Sequence, residues 1–201
     1  MQETVAAAII AHSEWSGEQP LHDPCCGSGT LLAEAWLRAT GTPAQTLRGH
    51  FGFMQLPDFD IVAWKQVKKG LDSRRRLLER GLVSGGDIDP GAVAAARQNL
   101  RQLPGGERVT IDRRDFRDHP GLADAMIVCN PPHGIRLGKG TDLASFYKDL
   151  GDWLKFRCQG STALVYFGKR ELIKRIGLRP TWKKPLRNGG LEGRLARYEL
   201  Y

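Results

Sequence analysis

Leu21-His22-Asp23-Pro24-Cys25-Cys26-Gly27-Ser28-Gly29-Thr30 runs directly into Leu31–Ala39, where apolar residues recur at helical spacing. The stretch therefore reads as a strand, a glycine-rich turn and a helix. Its glycines permit a tight turn and close backbone approach, and the helix start offers unpaired amides. It lacks the Lys-Ser/Thr ending of a P-loop, and an Asp that opens the turn repels phosphate. A nucleoside triphosphate is thus a poor fit. A ligand with a cationic or hydroxyl-rich part suits the turn better.

Working outward, the same unit recurs. Leu82–Pro90 reads as a second strand ending in acids, and Pro90 with the Ala-rich run 92–96 starts a second helix. An acid just past a second strand can hydrogen-bond ribose hydroxyls in nucleoside-binding α/β folds. Asp89 is the first choice for that role and Asp87 the alternative. Arg108–Ile111 reads as a third strand; beyond it, Asp115 can accept from an adenine amino group with Phe116 beside the ring. Asp124–Cys129 and Ser161–Phe167 read as strands four and five, and residues 2–12, 142–156 and 169–176 as helices. Pro180–Leu186 and Leu191–Tyr201 form two more strands, joined by the hairpin signal Arg187-Asn188-Gly189-Gly190. The pattern predicts an α/β, Rossmann-like fold: a seven-stranded, mostly parallel sheet closed by a C-terminal antiparallel hairpin.

Residues 41–81 break the alternation and read as a helical insertion into a single domain spanning 1–201. Gly41-Thr42-Pro43 interrupts the chain, Asp58–Arg80 looks mainly helical with a basic outer face, and Phe51, Phe53 and Trp64 are read as packing residues.

Asn130-Pro131-Pro132-His133 follows the apolar run Ala125-Met126-Ile127-Val128, which has the continuous hydrophobicity of a buried parallel strand. Two prolines forbid both further pairing and an immediate helix, so the chain turns outward. One amide and one aromatic ring are then held at the carboxyl end of a strand, the edge where ligands bind in open α/β sheets. The Asn130 oxygen and a fixed backbone carbonyl can together accept both hydrogens of a planar amino group. After this turn, Gly134–Gly140, with Arg136 and Lys139, reads as a basic lid.

A chain of 201 residues can bury its own core, and 41% hydrophobic with 26% charged residues is ordinary for a globular domain. No apolar run approaches the ~20 residues of a membrane helix, and the Ala-rich start lacks the basic region of a signal peptide. Cys25, Cys26, Cys129 and Cys158 form no Cys-x-x-Cys pair, which disfavours a zinc or other metal site and a disulfide framework and fits a reducing cytoplasm. Cys129, on the buried strand before the prolines, reads as a small core residue rather than a nucleophile. The net charge of +8 is uneven: from Gly151 to Tyr201 twelve Lys or Arg stand against four Asp or Glu, and Arg74-Arg75-Arg76 forms a second basic cluster. Such a balance points to a polyanion, nucleic acid first.

The chain resembles the class I S-adenosylmethionine-dependent methyltransferases. More narrowly, it looks like the catalytic domain of the THUMP-associated RNA guanine-N2 methyltransferases that act on bacterial large-subunit ribosomal RNA. The resemblance is carried by Glu3–Ala8 before Asp23–Leu32, by Phe51-Gly52-Phe53 with Trp64, by Asp87-Ile88-Asp89-Pro90, and by Asn130–Leu137, with Asn188-Gly189 as late support. It spans nearly the whole chain. One departure is His133, where the family usually has Tyr and sometimes Phe.

The resemblance implies that S-adenosylmethionine lies over the carboxyl edge of the first three strands. Gly27 and Gly29, with Cys25, would approach its amino-acid part, and Asp23 its ammonium. Asp89, flanked by Asp87 and Ile88, would bind the ribose, and Asp115 with Phe116 the adenine. Asn130 would border the cofactor, and Asn130, Pro131, Pro132 and His133 would grip a flipped guanosine. The implied partner is 23S rRNA, delivered by an upstream THUMP module in a longer cytoplasmic protein. An adenine-N6 methyltransferase on DNA or RNA, and an RNA-binding module that keeps the cofactor without catalysis, are the alternatives.

Overall fold

The computed structural model describes residues 1–133 and 142–201, so the expected lid lies outside the described residues. Strands β1 (Leu21–Asp23), β2 (Val83–Asp87), β3 (Thr110–Arg113), β4 (Met126–Cys129), β5 (Thr162–Phe167), β6 (Trp182–Asn188) and β7 (Leu191–Glu199) form one sheet in the order β3-β2-β1-β4-β5-β7-β6. The first five are parallel, and β7 lies antiparallel between β5 and β6. Strand order reverses between β1 and β4, so the loops leaving those two strands diverge and open a crevice at the carboxyl edge.

Both faces of the sheet are covered. Along β4, Met126 and Val128 face a core that includes Ile9, Leu32, Trp36 and Leu100, while Ile127 and Cys129 face one that includes Leu150, Trp153 and Ala163. Burial on both sides explains why the strand is a continuous apolar run instead of an alternating one. Helices α1 (Glu3–Ser13), α2 (Thr30–Thr40) and α4 (Pro90–Arg101) supply the first core, and α5 (Leu143–Arg157) the second. The hairpin closes at Gly189-Gly190, with Asn188 paired to Leu191 and Gly189 at φ +60°. The α/β sheet with its terminal hairpin is the architecture the pattern predicts.

Two local expectations differ. In the segment 58–80 only α3 (Ile61–Asp72) is helical, started by Asp60, whose carboxylate accepts from Val62 at 2.7 Å and Ala63 at 3.1 Å. The basic run that follows is drawn off to the end of α2: the Arg76 amide donates to the Thr40 carbonyl at 2.9 Å, and its guanidinium to the carbonyls of Ala39 and Ser16. Unpaired carbonyls and the negative helix end favour a cation there, so part of this cluster holds the fold instead of facing a polyanion. Likewise 169–176 forms only the 3₁₀ turn Arg170–Lys174, and Gly177, at φ +70°, turns the chain just beyond it. The insertion aromatics pack on one another, Phe53 lying 5.3 Å from Phe51 and 5.2 Å from Trp64.

Candidate active site at the carboxyl edge

The glycine-rich turn is strapped to β2. The Gly27 amide donates to one oxygen of Asp87 at 2.9 Å, and the Asp89 amide to the other at 3.0 Å. The Cys26 amide also reaches the Gly86 carbonyl at 2.9 Å. Asp87 is thus a bracket between two loops. Asp89 starts α4 by accepting from the Gly91 amide at 2.8 Å through one oxygen. Its neighbour Ile88 stands 64% exposed at the rim. Among the described residues, nothing lies within 4 Å of where a Cβ on Gly27 (φ +55°) would sit. Gly29 (φ +83°) packs against α4, where a Cβ would stand 3.2 Å from that of Ala96.

Asp23 differs from the sequence reading. All three residues of β1 are buried, and the Asp23 carboxyl lies beneath the turn, accepting from the Cys25 amide at 3.0 Å. Burial pushes its pKa up to about 8, and Asp87 adds to the rise. A carboxyl so placed supports the turn from below. Asp115 also has a partner that sequence reasoning missed. Its oxygens accept from the Arg117 amide at 3.0 Å and guanidinium at 2.9 Å, and that guanidinium lies 4.9 Å above the buried Phe116 ring. An adenine amine at Asp115 would compete with Arg117.

Strand β4 ends at Cys129, and the segment Asn130–His133 that follows it is held by supports from both sides. On one side the Tyr147 hydroxyl of α5 donates to the Pro132 carbonyl at 3.4 Å. On the other, the Gly168 amide, just past β5, donates to Nδ1 of His133 at 3.2 Å. Nδ1 is therefore the acceptor nitrogen, and Nε2 carries the hydrogen it donates to Asn130 Oδ1 at 3.0 Å. The ring packs edge-on to Tyr166, with centroids 5.6 Å apart. Only glycine admits it: a Cβ at 168 would lie 2.6 Å from His133 Cγ. Burial lowers the His133 pKa and favours this neutral form. Beneath the turn, Cys129 is fully buried and its thiol is pushed well above the ordinary range, as suits a core residue.

Topology thus gathers the loops after β1, β2 and β4 around one crevice. Among the described residues its floor is open over Gly27, with an exposed apolar residue and a carboxylate on the β2 side and an oriented amide at the end of β4.

Comparison with known proteins fits this arrangement. Residues 1–197 match the family model described as "RMKL-like, methyltransferase domain". The chain belongs to that family. A "Putative RNA methyltransferase" of Synechocystis sp. is 38% identical over the whole of this methyltransferase domain, which spans 53% of that protein. The "Ribosomal RNA large subunit methyltransferase K/L" of Photobacterium profundum is 34% identical over 98% of the domain, which corresponds to 29% of its length. Among solved structures, "a putative methyltransferase complexed with SAH" superposes with a TM-score of 0.88 at 25% identity, covering 99% of the domain and 52% of that chain.

Proposed function

We propose that this domain transfers a methyl group from S-adenosylmethionine to the exocyclic N2 amine of a guanosine in RNA, large-subunit ribosomal RNA in the first instance. The observation that carries the reading is the Asn130 amide, oriented by His133 at the end of β4, beside β1 at the strand-order switch point. Relatives named as ribosomal RNA methyltransferases support the substrate class, and the sequence resemblance supports guanine N2 over adenine N6.

The crevice residues suit the cofactor. The space that the described residues leave over Gly27 admits its amino-acid part, the Asp89 oxygen that takes no hydrogen bond among the described residues can accept from ribose hydroxyls, and Ile88 offers an apolar edge to the adenine. Bound there, S-adenosylmethionine supplies an electrophilic methyl group on a sulfonium. Asn130 Oδ1 has two lone pairs. His133 occupies one, which points the other at an incoming amine. The Pro131 carbonyl accepts the second amine hydrogen. Held by both acceptors, the nitrogen is drawn from planarity and its lone pair is freed for attack. A strong general base is unnecessary, since the nitrogen becomes acidic once alkylated and its proton passes to solvent. The chain's contribution is mainly positioning. Flipping the base out costs a few kcal/mol, offset by stacking worth ~1–3 kcal/mol. In the full-length protein an upstream THUMP module would capture the RNA.

The test is transfer of labelled methyl groups to unmodified large-subunit ribosomal RNA, followed by nucleoside digestion and mass spectrometry. N2-methylguanosine is expected. N6-methyladenosine as the product would overturn the guanine assignment. Cofactor binding with no methylated nucleoside would reduce the domain to an RNA-binding role.

A further inference from the structure

Beside the crevice, at the far end of β5, lies a cleft of about 510 Å³ between the turn Arg170–Lys174 and the β6–β7 hairpin. Its walls come from two separate elements. In the turn, Leu172 and Ile173 are buried in the second core while Arg170 and Lys174 stand exposed. In the hairpin, Lys183 pairs with Ala196, a residue of that same core, and Arg194 lies two residues along on the same face. Four cations from the two elements therefore border one space, lined also by Ile173 and, as the single acid among the described residues, Glu171. Among the described residues, none of the four forms a salt bridge. Like charges gathered without carboxylate partners raise the local potential and attract an extended anion.

The position matters as much as the charge. Arg194 is paired with Phe167, the last residue of β5, and the next residue, Gly168, donates to His133. Arg194 thus lies two strand spacings, about 10 Å, across the sheet from the end of β4 that carries Asn130. We propose that this cleft holds the phosphodiester backbone of the RNA strand next to the target nucleotide, with Arg170, Lys174, Lys183 and Arg194 as the phosphate contacts. The inference rests on the RNA reading above. It adds where the strand runs: from the crevice over the end of β5 and into the cleft formed with the terminal hairpin. Phosphate contacts of this kind set register and affinity but carry no base preference.

The test compares two triple variants with the unmodified protein. Arg170→Gln/Lys174→Gln/Lys183→Gln neutralises exposed cleft cations. Lys65→Gln/Lys68→Gln/Lys69→Gln makes the same charge change on α3. Affinity for a fluorescent single-stranded oligoribonucleotide is read by anisotropy over a salt series, with circular dichroism checking the fold. Each phosphate contact contributes a salt slope of ~0.7 on single strands, so the cleft variant should be shallower by about 2 and bind at least tenfold more weakly at low salt. The KM for ribosomal RNA should rise while the dissociation constant of S-adenosylmethionine stays unchanged. A cleft variant that loses no more affinity and slope than the α3 variant overturns the proposal. Product analysis keeps the two readings apart: a methylated base other than guanine defeats the guanine assignment and leaves the salt slopes untouched, whereas N2-methylguanosine with unchanged slopes defeats the cleft alone.

Discussion

His133 donates through Nε2 to the side-chain oxygen of Asn130, 3.0 Å away, while its other nitrogen is held by the Gly168 amide. A ring expected from sequence to help grip the flipped base is thereby also an orienting group. An Asn amide free to rotate would offer its NH₂ to an incoming amine about as readily as its oxygen, and only the oxygen can accept. His133→Phe keeps an aromatic face and loses both hydrogen bonds. With one hydrogen bond worth ~0.5–1.5 kcal/mol net, kcat should drop about three- to tenfold with cofactor affinity unchanged. Full turnover by the Phe variant, measured as methyl transfer at saturating RNA, would leave stacking as the ring's whole role.

The same tether sets a pH dependence. Protonating Nδ1 would turn it into a donor facing the Gly168 N–H, so the charged ring cannot keep its seat. Burial places the folded-state pKa below the ordinary 6.5. The unfolded chain therefore takes up a proton as pH falls through 6.5 while the folded chain resists, and the stability this group contributes above that pH is lost as pH falls through the folded value. Turnover should be flat above neutrality and decline on an acid limb centred below 6.5. The limb should vanish in His133→Phe, and a kcat–pH profile of both proteins decides.

Gly168→Ala probes the seat from the other side. The backbone there is not in the left-handed region, so alanine is tolerated conformationally, yet its methyl would lie 2.6 Å from His133 Cγ. Displacement of the ring should lower kcat by at least as much as His133→Phe, and the double variant should be no worse than the poorer single one. Additive losses in that cycle would mean that the two residues act separately.

Asp23 gives stability the opposite pH slope. Its folded pKa is raised to about 8. Between its ordinary value of 3.8 and about 8 the unfolded chain releases a proton that the folded chain keeps, so stability falls as pH rises across that window and levels off above it. Asp23→Asn preserves an acceptor for the Cys25 amide and removes the titration. Melting temperatures from pH 5 to 9 should converge at the acid end and favour the Asn variant at the alkaline end. Parallel curves would show that Asp23 is ionised in the fold.

Asp89 has two roles that substitutions can separate. Loss of the α4 cap in Asp89→Ala should cost about 1 kcal/mol of stability, whereas Asp89→Asn keeps a competent cap. Both should weaken S-adenosylmethionine binding by calorimetry if the free oxygen meets the ribose. Unchanged binding in both would confine Asp89 to capping.

How far the sequence carried depended on whether a residue's partner was local. Strands β4 and β5 were readable because burial on both faces leaves an unbroken apolar run, and the hairpin because Gly189-Gly190 demands a tight turn. The helix start at Pro90 was visible from the proline itself. By contrast, Arg76 answers carbonyls of α2 and Ser16, Arg117 answers Asp149 on α5, and His133 answers Gly168 across 35 positions. None of those pairings leaves a periodic trace. The burial of Asp23 was hidden for a related reason: acid followed by Pro and Gly looks like an exposed turn, and only the three-residue β1 between two longer neighbours puts its carboxyl inside. Gly168, right after an apolar strand, was the one missed position with a signal, since a lone glycine there marks a close approach.

The Asp87 bracket has a consequence for how the protein is made. Its partner amides at Gly27 and Asp89 belong to turns separated by the whole insertion, and the Gly27 contact spans 60 residues. At a synthesis rate of roughly 5–20 residues per second, the first turn emerges some 3–12 seconds before the carboxylate that fastens it. Throughout that interval the glycine-rich loop is only a tether between β1 and α2. The rim that would grip the nucleoside is therefore assembled only after the insertion has emerged, in a single closure joining the glycine turn to the loop after β2.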